Sequence, residues 1–200
     1  MAVDLPCDDA IAGFERYVDV TVAALEGADD VVLVGHSLGA HTIARAIGRL
    51  PVRHLVFVSG VIPPREGERT DDEPPMDEPG TFDALQNDGA GFMWWPADGI
   101  AAIEAMYHDC SPEDALRAVT RLRRQSTTPH RNLGDPVDIG DVPRTSIVCA
   151  EDRVARAEWG CWAARERLGD AEVIELPGGH SPFVSRPGEL ADVLASIVSA

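Results

Sequence analysis

The chain alternates between short continuous apolar runs and longer stretches in which apolar residues recur every three or four positions. Val31-Val32-Leu33-Val34 lies between Asp29-Asp30 and Gly35. A run this short, β-branched and unbroken by polar residues predicts a strand buried on both faces, as parallel sheets require. His54–Ser59 predicts a second buried strand, and Thr145–Ala150 and Glu172–Leu176 predict further strands. Between these runs the period changes. Ile11, Phe14, Val18, Val22 and Leu25 predict a helix capped by Asp8 or Asp9 and running to about Glu26. Helices are also predicted over Ala40–Leu50, which stops at Pro51, over Ala155–Leu168 and over Pro187–Ser199. The opening Ala2–Leu5 is short, apolar and stopped by Pro6, and predicts a strand.

From Val61 the pattern breaks. Pro63, Pro64, Pro74, Pro75 and Pro79 stand among eight acidic residues between Glu66 and Asp83, which predicts a loop, with Asp71-Asp72-Glu73 as a solvated stretch of it. Ile100–Tyr107 and Pro112–Arg124 predict two short helices, the second opened by a capping signal of Ser111 and Asp114. A second loop spans Gln125 to Pro143. Strands alternating with helices on both sides of this insert predict an α/β fold with a doubly wound, mostly parallel sheet. Residues 1–60 and 144–200 would form the core, and 61–143 a helical cap. The insert holds Phe82, Phe92, Trp94, Trp95 and Tyr107, aromatics suited to walling an apolar pocket. Trp94 and Trp95 are adjacent, so an extended backbone would turn at most one of them towards a site.

Composition narrows the function. Hydrophobic residues make up 44% of the chain, enough for a packed core. The formal net charge is −17 and every basic side chain apart from histidine is Arg, which disfavours nucleic acid and anionic membranes as partners. No basic leader and no 18-residue apolar run are visible. Cys7, Cys110, Cys149 and Cys161 are scattered without a C-x-x-C pair and read as reduced thiols. The expectation is a cytoplasmic protein without metal or cofactor, acting on a small molecule. An oligomer of identical chains is compatible with the sequence.

The chemistry is carried by Gly35-His36-Ser37-Leu38-Gly39, a G-x-S-x-G pattern between a predicted strand and a predicted helix. Such a turn lifts the Ser37 hydroxyl clear of the sheet. It also aims the Leu38 backbone N–H, at a helix N-terminus, towards a developing oxyanion. A serine needs a base. Among six histidines, His180 in Pro177-Gly178-Gly179-His180 directly follows the last predicted strand, at the carboxyl edge where Ser37 also emerges. Asp152 follows the strand Thr145–Ala150 and is the candidate orienting carboxylate, with Glu151 and Asp109 as rivals. His36, Trp94, Trp95 and Tyr107 are candidate pocket residues.

At this point the sequence resembles the α/β-hydrolase superfamily, above all its small esterase and hydroxynitrile-lyase-like branch. VVLVGHSLGAHTIARAI (31–47), SIVCAEDRVARAEW (146–159) and ELPGGHSPFVSRPGELADVL (175–194) carry the likeness. The resemblance implies that Ser37, Asp152 and His180 are nucleophile, acid and base, in the chain order of that fold. It implies ester hydrolysis through an acyl-enzyme. The alternative is a catalytically weak or inactive relative or fragment, and a hydroxynitrile-lyase-like enzyme stands third. The departure is at the front, where the family carries further strands and a second oxyanion donor. Ala2–Leu5 resembles the fourth strand of that fold, which leaves a gap beside the nucleophile strand. Three arrangements would account for it: a truncated chain, direct pairing of Val31–Val34 with Ala2–Leu5, or a strand supplied by a partner chain.

Overall fold

The computed structural model describes residues 1–68 and 70–199. Its strands are β1 (Val31–His36), β2 (Val52–Val58), β3 (Gln86–Asn87), β4 (Phe92–Trp94), β5 (Gln125–Ser126), β6 (Arg144–Cys149) and β7 (Glu172–Leu176). Its helices are α1 (Phe14–Ala24), α2 (Gly39–Arg45), α3 (Ile100–Met106), α4 (Pro112–Val119), α5 (Ala157–Leu168), α6 (Pro182–Ser185) and α7 (Pro187–Ser199), with a 3-10 turn at Pro129–Asn132.

Four strands form one parallel sheet in the order β1-β2-β6-β7. Successive side chains of a strand point to opposite faces, and both faces here are apolar. Leu33, Leu55 and Phe57 pack with Val18 of α1, Ile43 of α2 and Trp159 and Trp162 of α5. Val56, Val58, Ile147 and Cys149 pack on the other face with Leu190 and Ile197 of α7. Helices on both faces of a parallel sheet are what the apolar runs predict. All four parallel strands end at one edge, so the residues that follow them meet there.

Several sequence expectations are corrected. Ala2–Leu5 forms no strand, and among the described residues β1 pairs only with β2. Pairing of Val31–Val34 with Ala2–Leu5 is therefore not the arrangement adopted. Val34 is 47% exposed rather than buried, because α7 covers β2, β6 and β7 and reaches only Val32 of β1. Helix α1 starts at Phe14, not at Asp8 or Asp9. Asp9 Oδ1 instead accepts the Ile11 N–H at 3.1 Å in a turn, which leaves Ile11 in solvent. Helices α2 and α4 stop at Arg45 and Val119, earlier than predicted. Ser111 caps α4 as expected, its Oγ accepting the Asp114 N–H at 3.1 Å.

The insert is not purely helical. Strands β3, β4 and β5 form a small antiparallel sheet beside α3 and α4. At two or three residues each they are too short to leave an alternating signature. The acidic loop is not simply solvated either. Arg167 of α5 reaches Glu68 at 2.9 Å and Glu73 at 3.1 Å, with side-chain exposures of 9% for Arg167 and 8% for Glu68. Its guanidinium also donates to the Ile62 carbonyl and lies over the rings of Trp159 and Trp162. The indole N–H groups of Trp159 and Trp162 donate to Glu73 and Asp72. Among the described residues no helix is long and apolar enough to cross a membrane.

A buried histidine sits in the main packing layer. His41 of α2 is fully buried and stacked on Phe14 with ring centroids 4.8 Å apart. Its Nδ1 accepts from Arg45 at 2.7 Å, so the neutral ring carries its proton on Nε2. Burial, reinforced by Arg45, Arg167 and His130, pushes this imidazole down to about 3.

Two outcomes follow. Arg167→Ala strands the buried Glu68 carboxylate and should cost about 3–5 kcal/mol in urea unfolding, the usual penalty for breaking a buried pair from one side. His41 should make the fold acid-sensitive. Its folded value lies below its unfolded value of 6.5, so its stabilising contribution is complete above pH 6.5 and is lost as pH falls towards 3. Unfolding free energy measured from pH 7 to pH 4 should decline by up to about 1.4 kcal/mol per unit for this group. His41→Gln should flatten that slope, and an unchanged slope would show that the ring is not held neutral.

Candidate active site

The turn that leaves β1 carries the candidate nucleophile. Ser37 has φ 49, in the left-handed region that side chains other than glycine rarely adopt. Both of its backbone groups are tied down. Its N–H donates to the Val58 carbonyl at 3.0 Å, and its carbonyl accepts from Ala40 at 3.1 Å and Val61 at 3.0 Å. Gly35 is required here for a steric reason. A Cβ at this position would lie 2.7 Å from the Gly39 carbonyl oxygen, a backbone atom that cannot swing aside. Leu38 is the N-cap residue of α2, so its N–H is among those at a helix start that have no intrahelical partner.

The candidate base and acid come from the ends of β7 and β6. Past the strand ends the β6–β7 ladder continues, with Ala150 N–H on the Leu176 carbonyl and Glu151 N–H on the Gly178 carbonyl, each at 2.9 Å. This continuation brings the two loops together. His180 Nδ1 lies 2.9 Å from Asp152 Oδ2 and 3.1 Å from Oδ1, and both side chains are buried. Asp152 Oδ1 also accepts the N–H groups of Val154 at 2.8 Å and Ala155 at 2.9 Å. Burial works to raise the Asp152 carboxyl, but the hydrogen bond and charge of His180 and these two amides outweigh it and hold it below the usual carboxylate range. Among the described residues neither rival acid bonds the imidazole: Glu151 is exposed, and Asp109 pairs with Arg186.

Ser37, Leu38, His36, His180 and Tyr107 line one cavity of about 750 Å³. The cavity also runs along β1, where Val32 and Val34 line it together with Met1–Val3. His36 Nε2 donates to the His180 carbonyl at 2.8 Å. Burial, then the neighbouring His180, pushes the His36 imidazole down to about 3, with the His180 carbonyl and Asp152 working against the shift. It is thus a neutral donor that steadies the His180 backbone.

Trp94 and Trp95 do not line this cavity. They border a separate depression with Asp88, Arg123 and Arg124. The cause is the small sheet: β4 is paired on both sides, which fixes Trp94, while Trp95 packs against Phe82 with centroids 6.0 Å apart. The apolar wall is supplied instead by Met106, Leu122 and Phe183 together with Tyr107. Phe183 meets the His36 ring edge-on at 4.8 Å. Sequence reasoning missed it, although Pro182, six residues after the predicted strand's end, was a legible helix-start signal for the short α6 that carries Phe183 to His36.

Comparison with known proteins places the family and the fold. Residues 1–193 match the profile described as the Alpha/beta hydrolase family. Methyl jasmonate esterase 1 from Vitis vinifera is 26% identical over 208 aligned positions, covering 96% of this chain and 79% of that protein. A probable esterase, PIR7A, from Oryza sativa subsp. indica is 28% identical over 216 positions, covering 96% and 80%. The crystal structure of a pyrethroid hydrolase from Sphingobium faniae JZ-2 superposes with a TM-score of 0.77 at 24% identity, over 95% of this chain and 79% of that one. With its parallel sheet, its strand–turn–helix at Ser37 and a family match spanning nearly its whole length, the chain belongs to the alpha/beta hydrolase family.

Proposed function

We propose that the protein hydrolyses small, uncharged carboxylic esters through a Ser37–His180–Asp152 triad. The observation that carries this reading is the buried His180–Asp152 pair at the rim of the cavity that also contains Ser37 on its left-handed turn. With Nδ1 committed to Asp152, His180 has Nε2 left to serve Ser37. Esterase names among the relatives support the same class of reaction.

In the reaction, His180 Nε2 takes the Ser37 hydroxyl proton as Oγ attacks the ester carbonyl carbon. The carbonyl π electrons move to oxygen, and the Leu38 N–H stabilises the resulting oxyanion. Collapse of this intermediate expels the alkoxide, which takes the proton from His180. Water, deprotonated by the same imidazole, then attacks the acyl-enzyme, and the acid leaves as Ser37 regains its proton. The carboxylate of Asp152 holds the imidazole in one tautomer and stabilises the imidazolium that forms in each half-reaction. Tyr107, Met106, Leu122 and Phe183 offer the substrate an apolar wall, which favours ester groups without charge.

The test is turnover of p-nitrophenyl acetate together with labelling by a fluorophosphonate. Ser37→Ala should abolish both while leaving the unfolding midpoint close to that of the wild type. Labelling that persists in Ser37→Ala would sink the assignment. Asp152→Asn should lower kcat by on the order of 10⁴-fold, the scale seen when an orienting carboxylate becomes an amide. Gly35→Ala should lower kcat by roughly 100-fold or more, since displacements of about 1 Å at a reacting group cost that much, and a Cβ there meets the Gly39 backbone.

A further inference from the structure

The loop that carries His180 is rich in glycine, yet the structure grips it. We infer that Asp109 and Arg186 are positioning residues that clamp this loop against the insert and so hold His180 in register with Asp152. The inference rests on the hydrolase reading of the same site and adds to it two residues that do no chemistry.

Asp109 lies in the turn between α3 and α4, two residues after the cavity-wall residue Tyr107. Arg186 lies at the joint between α6 and α7, its N–H on the Pro182 carbonyl at 2.8 Å. Arg186 Nη1 and Asp109 Oδ2 are 2.5 Å apart, with side-chain exposures of 24% and 7%. The backbone of Gly178 and Gly179 runs alongside this pair. A Cβ on Gly178 would collide with Arg186 Nη1 and lie 2.5 Å from Asp109 Oδ2. A Cβ on Gly179 would lie 2.9 Å from Asp109 Oδ1 and 2.7 Å from His108 Nε2. His108 in turn donates to the Glu151 carbonyl at 3.0 Å, one residue before Asp152. One short turn of the insert thus touches both the acid loop and the base loop.

The contact is built for charge. Burial works to raise the Asp109 carboxyl, but the Gly179 amide, the Ser185 hydroxyl and the Arg186 guanidinium prevail and keep it below the usual carboxylate range. Asp109 Oδ1 is buried without a hydrogen bond of regular geometry, so the charge depends on the electrostatics of these neighbours. A buried ion pair is weak evidence of stabilisation in itself. Its place here, against the two glycines that precede His180, gives it a specific effect: it removes the freedom that those glycines would otherwise give the base.

The test uses the full chain with Asp109→Asn, Arg186→Gln and the double variant. Three readouts are taken: kcat and KM on p-nitrophenyl acetate, the downfield NMR resonance of the His180 Nδ1 proton, and amide exchange over residues 177–182. Each single variant should lose roughly 10- to 100-fold in kcat, as a slightly misplaced reacting group does, with KM within about twofold. The Nδ1 proton should broaden and exchange at 177–182 should rise. The double variant should be no worse than the more damaged single, because residues acting as a unit are not additive. If Asp109→Asn does not fold, Arg186→Gln carries the same readouts. Wild-type kcat and a sharp Nδ1 proton in the folded variants would overturn the clamp, as would losses that multiply in the double variant. A wild type that shows the sharp proton but turns over no ester would instead sink the hydrolase reading. The clamp would then be decided by the proton and the exchange data alone.

Discussion

The arrangement depends on one strained turn. Ser37 holds a left-handed backbone that costs a residue with a side chain of order 1–3 kcal/mol. It persists because its neighbours over-determine it. The parallel ladder between β1 and β2 runs up to His36 opposite Val58, and the next hydrogen bond places the Ser37 N–H on the Val58 carbonyl. The Val61 N–H, from the chain leaving β2, closes on the Ser37 carbonyl. The turn therefore inherits its position from the buried C-terminal half of β2: Leu55, Val56, Phe57 and Val58 are all within 2% of complete burial. Rigidity in β2 becomes precision at Ser37.

The same logic sets the other half of the site. Parallel strands deliver their C-termini to one edge, and the register of β6 with β7 fixes how far each following loop projects. Because Cys149 pairs with Leu176 and the ladder continues to Glu151 and Gly178, the carboxylate and the imidazole arrive opposite each other without a long search by either side chain. Burial then makes the pair strong. In a site shielded from water a carboxylate bonded to two amides and one imidazole is already organised, so under the proposed mechanism little reorganisation would be needed when charge develops on the ring.

Most of the sheet was legible in the sequence because the parallel strands are short segments rich in β-branched and apolar residues between predicted helices, and β7 and α7 match their predicted limits residue for residue. The candidate residues Ser37, Asp152 and His180 could be nominated from the sequence because each lies in a short loop just past a predicted strand, where the structure places them at one sheet edge. The rest was hidden for physical reasons. Ala2–Leu5 has strand composition, but strand formation needs a partner ladder, and this segment instead packs by side chains, with Leu5 and Cys7 against Phe14 and Tyr17. Val34 is apolar like its neighbours, yet its exposure is decided by where α7 ends its cover, which no local pattern encodes. Trp94 and Trp95 are aromatic and lie in the insert, which made them natural wall residues. Pairing across a three-residue strand turned them elsewhere. Asp72 and Glu73 read as solvated until the guanidinium and indole groups that face them, some 90 residues away in sequence, are placed in space.

The insert is best understood by what holds it. Its acidic loop is anchored to α5 through Arg167, and its small sheet is anchored to the N-terminal segment, where the Ser126 N–H meets the Cys7 carbonyl at 2.6 Å and the Ser126 and Thr128 hydroxyls share the Ala10 carbonyl. Its α3–α4 turn reaches the loops after β6 and β7. Three separated anchors leave the apolar wall around Tyr107 as the insert's free face, and that face borders the Ser37 cavity. The charge of the molecule suits this placement. With a formal charge of −17, the surface imposes a cost on an approaching anion that it does not impose on a neutral ester. Ester hydrolysis turns the second kind of molecule into the first. Under the proposed ester hydrolysis, the apolar cavity wall would suit an uncharged substrate and the acidic surface would favour departure of the carboxylate, so these two features would act in the same direction on one reaction.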